Sequence, residues 1–234
     1  MSELIGIVGA TGTGKSSAIV HNEDLKIVGL NPNETFIINI ANKPLPFRGW
    51  KRLFTPLTSE GKGNLLISDK TKSILEALRY INTNRLDIKY IIIDDFQYVL
   101  AFEFMAKAME KGFEKFSIMA KNAFDILNTG RSLREDLKVF VLTHSEELQK
   151  DFETVRKMKT IGKLLDDKIT LEGLFTVLLY THCEWDDKEE KGYYYFITNR
   201  TNDYPAKSPV GMFDKIKIPN DLGYVNEMIN NYNN

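Results

Sequence analysis

The chain has 234 residues, 43% of them hydrophobic, and its 31 Lys and Arg against 32 Asp and Glu leave a formal net charge of −1. That size and balance suit one globular domain, residues 1–234, with a sizeable core, and they exclude a polycation, so any nucleic-acid contact must come from a local patch. The single cysteine, Cys183, excludes an internal disulfide, and no apolar stretch approaches the length of a membrane span.

Leu4-Ile5-Gly6-Ile7-Val8 is a short apolar run of the kind that forms a buried strand. Met1-Ser2-Glu3 enters it without a charged leader, which makes a soluble cytoplasmic protein without membrane contact the expectation. The strand delivers the chain to Gly9-Ala10-Thr11-Gly12-Thr13-Gly14-Lys15-Ser16, which reads G-x-x-x-x-G-K-S. This is a phosphate-binding loop, whose backbone N–H groups wrap the phosphates of a nucleotide such as ATP. The predicted nucleotide-binding segment is this octet with Ser17. Lys15 is expected on the β- and γ-phosphates, and the Ser16 hydroxyl is expected to ligate Mg²⁺. A helix is predicted to begin at Gly14-Lys15-Ser16 and run to about Val20, with its positive dipole end facing the same charge.

Downstream, Thr35-Phe36-Ile37-Ile38-Asn39-Ile40 reads as a second strand, and residues 71–81 carry apolar side chains at helical spacing. Lys89-Tyr90-Ile91-Ile92-Ile93-Asp94-Asp95 is continuously apolar and ends in acid, the pattern of a parallel strand buried on both faces whose carboxyl end opens into a site. A helical region from about Tyr98 to Leu127 is predicted to break near Gly112, and residues 137–143 form another buried strand. Residues 174–181 and 192–198 are β-rich and joined by a charged turn, a hairpin. Strands alternating with helices and ending in a hairpin give an α/β fold with a mostly parallel central sheet, helices on both faces and a C-terminal antiparallel hairpin.

Phosphoryl transfer is mostly positioning and charge neutralisation, so it wants one carboxylate for the metal and a second to polarise the attacking water. Asp94 is the predicted Mg²⁺ residue and Asp95 the candidate base, although paired acids also suit the cap of a following helix. The strand ending at Thr143 leads into His144-Ser145-Glu146-Glu147, where Thr143 or His144 is placed to sense the γ-phosphate; the same residues also suit a strand end. His21 and His182 are read as structural, since with Cys183 they lack any zinc-ligand spacing.

The loop, Tyr90-Ile91-Ile92-Ile93-Asp94-Asp95, the segment from Val139 to Glu146, and Ala206-Lys207-Ser208-Pro209-Val210-Gly211-Met212-Phe213 together resemble the phage ATP-binding proteins of the RecA-like superfamily, which include the Sak-type ATPases that assist single-strand annealing and recombination. The resemblance implies a RecA-like core acting in the host-cell cytoplasm, alongside recombination or replication proteins. It also implies a homo-oligomer in which a basic residue of one protomer reaches its neighbour's nucleotide. The matching segment here offers Asn199-Arg200 and Ala206-Lys207, which makes Arg200 and Lys207 the candidates. RecA itself carries its catalytic glutamate at the end of the strand after the loop, where this chain has Asn39-Ile40-Ala41-Asn42-Lys43. That shifts the burden of the base to Asp95 or Glu146.

Two stretches are candidates for holding single-stranded DNA. Phe47-Arg48-Gly49-Trp50-Lys51-Arg52-Leu53-Phe54 interleaves rings with cations, and residues 150–163 contain Arg156, Lys157, Lys159 and Lys163. The rings of the first also suit a core, and the lysines of the second a solvated loop. The expected activity is an ATPase acting on single-stranded DNA. Two other readings remain open at this point: a nucleoside or nucleotide kinase, although the candidate lid lacks clustered arginines, and a module that uses ATP as a switch.

Overall fold

The computed structural model describes residues 1–150, 153–161 and 169–234. Its central sheet runs in the order β3-β2-β4-β5-β1-β7-β8-β9, with β6 paired to β5 alone. In chain order the strands are β1 (Glu3–Gly9), β2 (Thr35–Asn39), β3 (Leu65–Ile67), β4 (Tyr90–Asp94), β5 (Lys138–Lys150), β6 (Glu153–Met158), β7 (Val177–Asp186), β8 (Lys191–Ile197) and β9 (Lys217–Pro219). From β3 to β7 all neighbours are parallel, and β8 and β9 add an antiparallel edge. The predicted α/β architecture with its hairpin is therefore the observed one.

The parallel strands are apolar through their middles because both faces are covered there. Leu4, Ile38, Ile93, Val141 and Tyr180 point to one face and pack with helices α2 (Thr71–Asn84), α3 (Gln97–Ala106) and α4 (Glu114–Arg131). Ile5, Ile37, Ile92, Phe140 and Leu179 point to the other, where α5 (Leu222–Asn233) supplies Leu222, Val225 and Ile229 and short α1 (Trp50–Leu53) lies at the margin. The predicted break near Gly112 is the gap between α3 and α4. Among the described residues, no helix is long and apolar enough to cross a membrane.

Two predicted elements are corrected. The helix expected through Val20 is a single 3₁₀ turn, Ser16–Ala18. Its continuation is taken by tertiary partners: Leu30 N–H donates to the Ile19 carbonyl at 2.7 Å, and a Cβ on Gly29 would lie 2.2 Å from the Val20 carbonyl carbon. The β-branched Ile19-Val20 pair has little helix propensity with which to resist this. The second correction is β5, which continues past Thr143 to Lys150 as a two-stranded ribbon with β6, from Ser145 opposite Met158 to Lys150 opposite Glu153.

Register brings the chemistry together. Gly9 lies opposite His144 across β1 and β5, and Asn39 lies opposite Asp94 across β2 and β4, so these strand ends open at one edge of the sheet. β5 sits between β1 and β4, the arrangement in which its polar residues face both the loop and the acids.

Candidate functional site

The loop is built around close backbone approaches. A Cβ on Gly9 would lie 1.6 Å from the Thr181 hydroxyl oxygen, so only glycine lets β7 pack there. Thr13 Oγ1 donates to the Ala10 carbonyl at 2.7 Å and lies 2.6 Å from Thr181 Oγ1, which ties the loop to β7. Gly14 turns the chain at φ +86°, a left-handed value that a side chain disfavours. The Lys15 side chain folds back over this loop, and its Nζ donates to the carbonyls of Gly9 at 2.8 Å and Ala10 at 2.7 Å. It is 7% exposed. Burial lowers its pKa to about 8, against the opposing charges of Asp95 and Asp94, and the Lys43 ammonium adds to the lowering.

Ser16 Oγ donates to Asp94 Oδ1 at 2.8 Å, so the two residues assigned to Mg²⁺ from sequence are in direct contact. Burial first, then the charge of Asp95, pushes the Asp94 carboxyl up to about 6, while Ser16, Lys43 and Lys15 pull the other way. Asp95 takes a left-handed backbone, φ +63°, which Asp tolerates better than most residues. Its carboxylate forms an ion pair with Lys43 and a 3.3 Å contact with His144 Nε2. Burial pushes its pKa up, but the hydrogen bonds and charges of His144 and Lys43 prevail and hold it at about 2. Among the described residues no side chain caps α3, so the capping role open to these acids is not the one they take.

His144 also reaches Thr11 Oγ1 through Nδ1 at 3.3 Å and thus links the loop to Asp95. Its backbone N–H and the Thr143 hydroxyl both donate to Gln97 Oε1, at 3.2 and 3.3 Å, and its ring stands edge-on to Tyr98. Lys43, Gln97, Tyr98 and Thr181 are site residues that sequence reasoning missed. Lys43 was visible only as an absent glutamate, and Gln97 stands two places beyond Asp95.

The site residues line a cleft of about 340 Å³ that includes Thr11 to Ser17, Lys43, both acids and His144. A larger cavity of about 730 Å³ lies against Gly12, Gly14 and Ser17 and is walled by Tyr193, Tyr194 and Asn220.

No protein-family model matches the sequence. No curated protein matches it. Among solved structures the chain is similar to a KaiC-like protein from the hyperthermophilic archaeon Pyrococcus horikoshii OT3, at 12% identity and a TM-score of 0.42, over 85% of this chain and 80% of that one. At that level neither activity nor partner transfers.

Other predicted residues lie apart from the cleft. Glu146 stands in the ribbon, paired with Lys157 at 3.0 Å, and is not among the cleft's lining residues. It is therefore not placed as a base, because β5 carries it onward instead of ending at Thr143. Arg200 is exposed, and Lys207 exchanges both backbone hydrogen bonds with Leu178 of β7; neither lines the cleft. In the first candidate DNA stretch, Phe47 and Phe54 are buried against each other, ring centroids 5.8 Å apart, and Trp50 is half-buried. That corrects the stacking role for the two phenylalanines, which complete the core. In the second, Arg156 pairs with Glu147 at 2.8 Å and lies 4.6 Å over the Tyr204 ring; Lys159 is exposed, and Lys163 lies outside the described residues.

Proposed function

We propose that the protein binds ATP with Mg²⁺ at the 9–17 loop and hydrolyses it, as a P-loop ATPase of the RecA-like kind. The observation that carries this reading is the convergence of Lys15, Ser16 and Asp94 on one cleft, with Ser16 and Asp94, 78 positions apart in sequence, joined by the 2.8 Å hydroxyl-to-carboxylate contact. A hydroxyl and a carboxylate are hard oxygen donors suited to Mg²⁺. Ser16 and Asp94 would hold that ion, which supplies charge neutralisation at the phosphate oxygens when bound.

The remaining steps belong to the chain itself. Lys15 presents a point charge to the phosphates and gives up its loop carbonyls to do so. Asp95, ionised at neutral pH, orients a water molecule and is too acidic to retain the proton, which suits a reaction driven by positioning. His144 holds Asp95 in place and couples it to Thr11. The loop is a wall common to both cavities, so a nucleotide with its phosphates in the cleft has room for its nucleoside half beside Tyr194 and Asn220. Among the described residues Asn220 Oδ1 is buried without a hydrogen-bond partner, an acceptor open on that side.

The finer reading is action on single-stranded DNA in phage recombination or replication. It is supported by Arg156, Lys157 and Lys159 on the ribbon that grows directly out of the cleft through His144. Phosphate release by the purified protein with MgATP, with and without single-stranded DNA, tests both. Release that DNA stimulates is the expected result. Binding without release favours the switch module, and transfer to a nucleoside acceptor favours the kinase.

A further inference from the structure

Lys43 stands just beyond β2, the strand beside β4, where two features turn it over the cleft. Asn42 adopts a left-handed backbone, φ +52°, and Asn39 Nδ2 donates to the Lys43 carbonyl at 2.7 Å. Pro44 and Pro46 follow and also line the cleft, so the segment is stiff. The Lys43 side chain is 56% exposed, yet its ammonium ends in an ion pair with Asp95 and lies 5.4 Å over the Tyr98 ring. The Lys43 stem is half in solvent, so its ammonium can leave Asp95 without uncovering the core, and a multiply charged anion entering the cleft competes for it.

Two ammonium groups therefore face one small cavity. Lys15 comes from the loop and Lys43 from the segment after β2, and both line it. We propose that Lys43 is the cation for the terminal phosphate, supplied by the same chain, and that it determines the preference for a triphosphate over a diphosphate. This inference rests on the nucleotide reading above. Entry of the terminal phosphate draws Lys43 off Asp95, which leaves the carboxylate to His144 and to water. The carboxylate is thus released only when a triphosphate is present. Such a site needs no cation from Arg200 or Lys207 of a neighbouring protomer.

The test is equilibrium binding of MgATP and MgADP to the wild type, Lys43→Ala and Lys43→Arg. The wild type should prefer MgATP, and Lys43→Ala should lose ATP affinity by on the order of ten- to a hundredfold, the size of one charge-assisted contact. ADP affinity should stay unchanged, which also reports a folded loop, and Lys43→Arg should restore most of the preference. Equal losses for both nucleotides, or no loss for either, would overturn the role of Lys43 and leave the nucleotide site standing. A wild type that binds neither nucleotide would overturn that reading and this inference with it.

Discussion

The cleft at the carboxyl edge of the sheet and the β5–β6 ribbon are both rich in charge, and they hold it differently. In the cleft Lys15, Asp94 and Asp95 are each less than a tenth exposed, and their pKa values sit at about 8, 6 and 2. In the ribbon Glu146 faces Lys157 and Glu147 faces Arg156 directly across the two strands, with partly exposed side chains. Opposite charges across a solvated ribbon stabilise it by a fraction of a kcal/mol and need no further explanation. Charge that costs free energy to bury marks a site; charge paired at the surface does not identify one by itself.

Asp94→Asn sharpens this contrast most. In the metal-free protein the folded-state pKa of Asp94 lies about two units above its ordinary 3.8, so the folded state binds more protons than the unfolded one between about pH 4 and 6. Wild-type stability therefore falls as pH rises through that window, by about 3 kcal/mol at roughly 1.4 kcal/mol per unit. Asp94→Asn should be the more stable protein by about that amount at pH 8, while near pH 4 the two should nearly coincide, as read by urea unfolding. The variant should also lose Mg²⁺-dependent nucleotide affinity. An advantage of equal size at both pH values would contradict the buried charge.

Asp95→Asn should retain MgATP and lose turnover by on the order of a hundredfold, the effect of losing a positioned group for the attacking water. Measured in single turnovers, a normal rate would mean that the Lys43, Asp95 and His144 cluster is structural.

For the ribbon, replacing Arg156, Lys157 and Lys159 together by alanine should weaken single-stranded DNA binding and flatten its salt dependence by up to about two units, at roughly 0.7 per contact. MgATP affinity should not move. Unchanged DNA binding in a filter or anisotropy titration would shift the contact to Arg48, Trp50 and Lys51.

The smallest effect concerns Lys15. Its lowered pKa means that nucleotide binding should take up a fraction of a proton near pH 8, visible as a buffer-dependent heat of binding. No buffer dependence there would mean that the ammonium is as well solvated as a surface lysine.

Much of this was legible in the sequence. Continuous apolar runs named β1, β4 and the first half of β5, and each run led directly into residues that the sheet then brought to one edge: Gly9, Asp94 and His144. The truncated loop helix was not legible, because Leu30 and Gly29 decide it from another segment, and local propensity does not see them. Nor was the length of β5, since His144-Ser145-Glu146-Glu147 reads as a polar strand end when its partners on β6 are unknown. Lys43 escaped for the same reason: its place depends on the turn at Asn42 and on β2 lying beside β4.

The central claim, that loop and acid form one Mg²⁺-nucleotide site, is tested most directly by titrating ATP into wild type and Lys15→Ala, each with Mg²⁺ and with a chelator. The expected result is tight binding only in wild type with Mg²⁺, with Lys15→Ala still folded by circular dichroism. Equal affinity in the folded variant, or wild-type affinity indifferent to Mg²⁺, would contradict it.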